Sequence, residues 1–379
     1  MNENKRNYTL DLIRGVSAMI VMSGHLRSAL FKDFTELDSG YSASLIEKGF
    51  YFITSLGHQA VMVFFVLSGY FVGGSVLKAK NNFSFKNYLI ARLSRLWTPL
   101  FPILLLTIII DYFTGIVSNE ILVGNHFSTL MSGPNGDYSS SPITFISNML
   151  FLQTVYTPVY GSNGPLWSLA NEFWYYILFP LLMGLMGFTS QNRNKRVVYG
   201  VITLLIIVFV SSNMMLGFMI WVMGALVYLI TKKKVIIFNI WFFAFSLVLF
   251  IFSLVGSKVN ILGNFYTTYS DVFIGFTFSI FLLSVINSRI PNFSFINLRK
   301  ISFWISEISY TLYIVHFPIV LLIYSLYYSD NQLFFNGTSI LQYLTWLVLI
   351  IFLSVVMWYL FERKTPFIRN QLKKLVKDI

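Results

Sequence analysis

The chain contains no cysteine. That excludes disulfides, a thiol nucleophile and any thiolate metal site. Charge is scarce too: 11% of the 379 residues are Asp, Glu, Lys or Arg, against about a quarter in soluble domains. Only four histidines occur, at 25, 58, 126 and 316, and no two stand at a metal-ligand spacing. A P-loop, a dinucleotide fingerprint and a G-x-S-x-G elbow are all missing. So are internal repeats and low-complexity tracts. The N-terminal apolar run is too long for a cleavable signal peptide and lacks a small-x-small cleavage site.

Apolar residues fill the space. They make up 56% of the chain, and 18% of residues are aromatic. Such a chain is all-α, a polytopic membrane helix bundle. About ten spans are predicted, near 8–30, 56–76, 96–114, 165–188, 197–212, 214–231, 235–255, 269–287, 303–328 and 339–361, with a basic tail over 362–379. The fifth and sixth are short and share the tight "SSNMM" connection. The whole of 1–379 reads as one membrane-embedded domain.

The net charge is +12. In a soluble protein this would suggest nucleic acid; here its placement explains it, and no nucleic-acid partner is expected. With the N-terminus cytoplasmic, the inner segments hold Lys5, Arg6, Lys78, Lys80, Lys86, Arg92, Arg95, Arg193, Lys195, Arg196, the run 232–234, Arg289, Arg299, Lys300 and the tail. Of the 27 basic residues, Arg27, Lys32, Lys48 and Lys258 fall outside, and Arg14 lies near the inner end of span one. This asymmetry supports an even number of spans with both termini cytoplasmic. The outer segment 31–50 is acidic-leaning, with Asp33, Glu36, Asp38 and Glu47. The longer outer segment 115–164 contains "FISNMLFLQTVY" (145–156), apolar but too short to cross. It reads as a re-entrant or interfacial wall for an outer-side ligand.

The first span, "LDLIRGVSAMIVMSGHLRSALF", carries Asp11, Arg14, His25 and Arg27. Charges in hydrocarbon cost about 2.5–3.5 kcal/mol each on insertion scales. At 100° per residue, His25 lies about 20° and Asp11 about 60° from Arg14, on one stripe, while Arg27 lies on the opposite face and is expected to snorkel outward. Asp11 and Arg14 form an i,i+3 pair. Arg14 is either an interfacial anchor or one end of a ligand site. His25 lies about 16 Å further along the axis, too deep for an anchor. It faces a cavity or makes an interhelical hydrogen bond.

Arg14 and His25, with ten residues between them, resemble the R-x10-H motif of the acyltransferase-3 family of integral membrane acyltransferases. "FFVLSGYFVGG" (64–74), "ARLSRLWTPLFP" (91–102), "PLWSLANEFWYYILFP" (165–180) and "ISYTLYIVHFP" (308–318) resemble further elements of that family, in its order. "FERKTP" (361–366) matches its terminal E-x-P pattern loosely.

The resemblance implies an O-acyltransferase of the bacterial inner (cytoplasmic) membrane. It would move an acyl group, acetyl above all, from cytoplasmic acetyl-CoA (acyl-CoA) to a hydroxyl of a cell-surface polysaccharide such as O-antigen, capsule or exopolysaccharide, or of its polyprenyl-linked precursor. Many members carry a fused periplasmic domain; this chain reads as a stand-alone transferase. His25 and Arg14 are then the catalytic candidates, with His25 as general base or as the site of a transient acyl-histidine. Arg92 and Arg95, one helical step apart, are a phosphate clamp for the donor or only part of the positive-inside signal. Ser68 and Tyr70 line a passage beside the donor, although the neighbouring glycines also suit plain helix packing. Asp11, Glu172, Trp167, Tyr313 and His316 are expected to bind acceptor or support the site. His316 could instead bond a tyrosine hydroxyl structurally, and the aromatics around Glu172 could form an interfacial belt. No metal is expected. The alternative is a transporter or flippase for lipid-linked glycan, since intramembrane charge suits both.

Overall fold

The computed structural model describes residues 7–34, 42–123, 138–190, 192–233, 239–259, 263–287, 296–329 and 331–375. His126, Glu36, Asp38, Lys5, Arg6, Lys234, Arg289 and Lys377 lie outside the described residues.

Among the described residues the chain is helical, with no strand and three isolated bridges. The helices are α1 (Tyr8–Leu30), α2 (Leu45–Thr54), α3 (Gly57–Ser68), α4 (Gly74–Ala79), α5 (Phe85–Val117), α6 (Asn119–Val123), α7 (Pro142–Met149) and α8 (Leu166–Leu185). Then follow α9 (Arg193–Phe209), α10 (Ser212–Lys233), α11 (Ile240–Val259), α12 (Gly263–Asn287), α13 (Ile296–Tyr327), α14 (Gly337–Leu360) and α15 (Thr365–Leu375). A π-helical turn, Gly69–Gly73, joins α3 to α4. Side-chain caps start several helices where sequence supplies Ser or Asn: Ser44, Ser141, Asn192 and Asn336 each accept from a backbone N–H three residues on.

Helices overlap the described parts of the expected spans, with different bounds. Among the described residues seven segments, against the ten expected, are long and apolar enough to cross a membrane: Gly57–Asn82, Phe85–Val117, Ser212–Lys232, Ile240–Lys258, Tyr269–Asn287, Leu298–Tyr327 and Gly337–Leu375; the helices at 8–30, 165–188 and 197–212 are not among them. The protein is a multi-pass membrane helix bundle. Its large apolar side chains are exposed in stripes, as on α5 at Phe101, Leu105, Ile109, Tyr112 and Ile116, as helices facing lipid require.

The contacts divide the chain into two compact units, and α1 contributes to both, its division falling after Arg14. The first unit comprises 1–14, 59–88 and 171–305. Here glycines set the packing. A Cβ on Gly69 would lie 1.7 Å from the Trp221 carbonyl oxygen, and one on Gly224 would lie 1.9 Å from that of Val66. The π-turn and α10 therefore touch backbone to backbone. Two hydroxyl pairs join α11 to α12, Ser246–Ser284 and Ser253–Thr277, each at 2.8 Å. Pro180 within α8 lacks an N–H and frees the Tyr176 carbonyl; the Tyr88 hydroxyl donates to it at 3.0 Å.

The second unit comprises 15–58, 89–170 and 306–379. The last carbonyls of α1 are satisfied by one segment: Leu333 N donates to Leu30 O at 2.8 Å, and Gln332 Nε2 reaches Ser28 O and Ala29 O, both at 3.2 Å. Tyr343 of α14 donates to Ser23 O at 3.2 Å. A Cβ on Gly24 would lie 2.5 Å from the Thr54 carbonyl oxygen. These contacts fix the turn of α1 that carries His25.

Candidate active site

In the second unit α1 presents His25 and α13 presents His316, 8% and 0% exposed. Their rings lie nearly parallel, centroids 5.1 Å apart at 10°, and His25 Nδ1 stands 2.8 Å from His316 Nε2. His316 Nδ1 stands 3.0 Å from the Leu312 carbonyl oxygen. A carbonyl can only accept, so His316 Nδ1 carries its proton. In the neutral ring Nε2 is then an acceptor, and His25 Nδ1–H donates to it. The tautomers thus follow from the hydrogen bonds, and they place the lone pair of His25 on Nε2. Phe317 packs edge-on against the His25 ring, centroids 4.9 Å apart.

The alternative of a tyrosine-bonded His316 gives way to this arrangement. Tyr313 OH pairs instead with Ser168 Oγ at 2.7 Å, and Tyr310 OH donates to Leu96 O at 3.2 Å. Trp167 stacks on His58, centroids 6.2 Å apart at 19°. Glu362, buried just past α14, accepts from Thr311 Oγ1 at 2.5 Å and from Thr311 N at 3.2 Å. Arg95, its side chain 46% exposed, reaches Glu362 at 4.0 Å. That carboxylate offsets part of the charge Arg95 would offer to a phosphate. Arg92 is half-buried one helical step earlier.

In the first unit Asp11 and Arg14 form the expected i,i+3 ion pair at 3.2 Å. Glu172 accepts from Ser68 Oγ at 2.6 Å and from Tyr176 OH on the same oxygen. Trp221 Nε1 donates to Ser68 Oγ at 3.0 Å. Ser68 and Glu172 are therefore tied together, while Tyr70 packs against Tyr228, centroids 5.7 Å apart. The glycines after Ser68 serve close packing, one of the two readings open to them. Among the described residues no cluster of metal-ligating side chains occurs.

Arg27 departs from expectation. It is 9% exposed and stacks over Tyr51 at 5.3 Å from the ring centroid, because α2 supplies an aromatic partner where open interface was expected. Sequence reasoning also missed Asp111, Asn163 and Trp221. Asp111, 3% exposed in α5, accepts from Ser162 N at 2.8 Å, Ser162 Oγ at 2.5 Å and Tyr138 OH at 3.2 Å. Burial and then the Asp111 charge push the Tyr138 phenol up to about 12. A lone carboxylate within an apolar run was the signal for Asp111; nothing local marks Asn163 or Trp221.

The structure thus combines a many-helix membrane bundle with a buried, hydrogen-bonded histidine pair. Comparison with known proteins gives the family. Residues 7–363 match the acyltransferase-3 family, described as an acyltransferase domain. The chain belongs to that family. It is also similar to an uncharacterized protein of Haemophilus influenzae, 26% identical over 162 residues. That match covers 40% of this chain and 60% of the relative. No solved structure matches.

Proposed function

We propose that this protein, in the bacterial cytoplasmic membrane, transfers an acetyl group from cytoplasmic acetyl-CoA to a hydroxyl of a cell-surface polysaccharide or its polyprenyl-linked precursor, through one domain spanning 1–379. The His25–His316 bond, polarised by the Leu312 carbonyl, carries this reading. His25 Nε2 takes the acceptor's hydroxyl proton as that oxygen attacks the thioester carbonyl carbon. A C–O bond forms, the C–S bond breaks, and the coenzyme A thiolate departs, taking up the proton from His25. While His25 holds the proton, its Nδ1–H still donates to His316 Nε2, so the imidazolium keeps its partner. If His25 itself attacks, the same lone pair bonds to the thioester carbonyl carbon as the C–S bond breaks and the thiolate leaves; the hydroxyl oxygen then takes the acyl group, the C–N bond breaks, and the hydroxyl proton passes to the thiolate.

Arg14 lies about 16 Å along α1 from His25, a span suited to a donor whose phosphates stay at the cytoplasmic face. Arg92 and Arg95 supply guanidinium forks for those phosphates, with Glu362 as a competing anion for Arg95. Ser68 and Tyr70 are assigned to the donor, and Asp11, Glu172, Trp167, Tyr313 and His316 to acceptor binding or support. The test is acetyl transfer from labelled acetyl-CoA by the purified protein in proteoliposomes. His25→Ala is expected to abolish transfer and Arg14→Ala to lower it tenfold or more; full activity of His25→Ala would refute the assignment.

A further inference from the structure

Pro318 stands two residues beyond His316 in α13. It has no N–H, so the carbonyl four residues earlier, Ile314 O, loses its helical donor. Asn163 Nδ2 supplies one at 2.8 Å. The Asn163 side chain is fully buried, and its amide cannot be reversed, because that would set oxygen against oxygen at Ile314. Its second contact, Thr107 Oγ1 at 3.3 Å, is longer.

The backbone beneath Asn163 is held from α5. Asp111 grips Ser162 through both its amide and its hydroxyl. Gly161 adopts φ +57°, and a Cβ there would lie 2.3 Å from Asp111 Oδ2. A buried carboxylate, a left-handed glycine and a buried amide thus lead in sequence to the turn of α13 that bears His316. Ile314 O lies in the same turn as Leu312 O, the acceptor that sets the His316 tautomer.

We propose that Asn163 is a positioning residue for the histidine pair: it replaces the backbone donor that Pro318 removes, and so holds residues 312–316 in the conformation that directs His316 Nε2 at His25. This rests on the reading of His25 as the reacting base. An unpaired carbonyl in a dry interior is costly. Without Asn163 the turn relaxes to find Ile314 O another donor, and Leu312 O moves with it.

A double-mutant cycle in the full chain tests this, with Asn163→Leu, similar in shape but without a donor, Pro318→Ala, which returns an N–H to Ile314 O, and the two combined. Transfer from acetyl-CoA and thermal unfolding in detergent are both read. Asn163→Leu is expected to lower kcat about tenfold or more while the donor and acceptor KM stay within about threefold. In the Pro318→Ala background the same change costs less than about threefold. Equal losses in both backgrounds would overturn the proposal, as would a fall in unfolding temperature with kcat unchanged. Should Pro318→Ala lack activity, unfolding decides: Asn163→Leu lowers the midpoint only when Pro318 is present, and an additive result overturns the coupling. Absence of transfer by the unaltered protein would count against the proposed function; the unfolding cycle reads the Asn163–Ile314 link regardless.

Discussion

His25 is oriented by a carbonyl it does not touch. Leu312 O fixes the proton on His316 Nδ1, and His316 Nε2 then draws the proton of His25 to Nδ1. A substitution at 316 should therefore act according to what it offers His25. Gln can accept through its side-chain oxygen; Ala cannot. His316→Ala is expected to lower kcat by about 10- to 100-fold, a part of the roughly 10²–10⁴-fold that a general base contributes, and His316→Gln to recover part of the loss. Equal rates for the two would show that acceptance from His25 Nδ1 is unimportant. His25 was legible in the sequence because its depth and helical face do not suit an interfacial anchor. Its partner was only half legible. A span gives the spacing of Tyr313 and His316 but not which helix faces them, and a tyrosine three residues away looked a sufficient partner. Asn163 was illegible: its role exists only because Pro318 frees a carbonyl 151 residues later in the chain. Arg27 misled because a helical wheel does not include α2.

Helices in this protein are interrupted by proline and tightened by glycine, and both have partners elsewhere in the chain. Pro180 frees Tyr176 O for the Tyr88 hydroxyl just as Pro318 frees Ile314 O for Asn163. Tyr88→Phe is expected to destabilise by about 1 kcal/mol, the net value of a typical hydrogen bond, seen as a lower unfolding midpoint in detergent. In the Pro180→Ala background, where an N–H returns, the loss should shrink. Gly224→Ala places a methyl against the Val66 carbonyl. It is expected to cost about 1–3 kcal/mol or more by overpacking, whereas Gly337→Ala, with nothing nearby, should not lower the midpoint. Long helices were legible because apolar runs mark them. Helix lengths were less so: α5 runs from Phe85 to Val117 where 96–114 was expected. Hydropathy records the hydrocarbon crossing, while the helix continues through its charged end at Lys86, Arg92 and Arg95. The short α2 was missed because ten residues cannot span a bilayer and leave no such mark.

For the whole molecule, the absence of cysteine offers a clean test of orientation. The basic-residue asymmetry predicts both termini in the cytoplasm. Tyr156→Cys, at an exposed site, is expected to react with a membrane-impermeant maleimide on intact spheroplasts. Lys195→Cys is expected to react only after permeabilisation, and the reverse pattern would invert the topology and the donor's side of entry. On the proposed function, acyl transfer to a surface glycan depends on His25. This dependence is tested most directly by NMR of surface polysaccharide from cells producing either the unaltered protein or His25→Ala at equal levels. Base-labile O-acetyl signals should appear only with the unaltered protein; their persistence with His25→Ala would contradict the account.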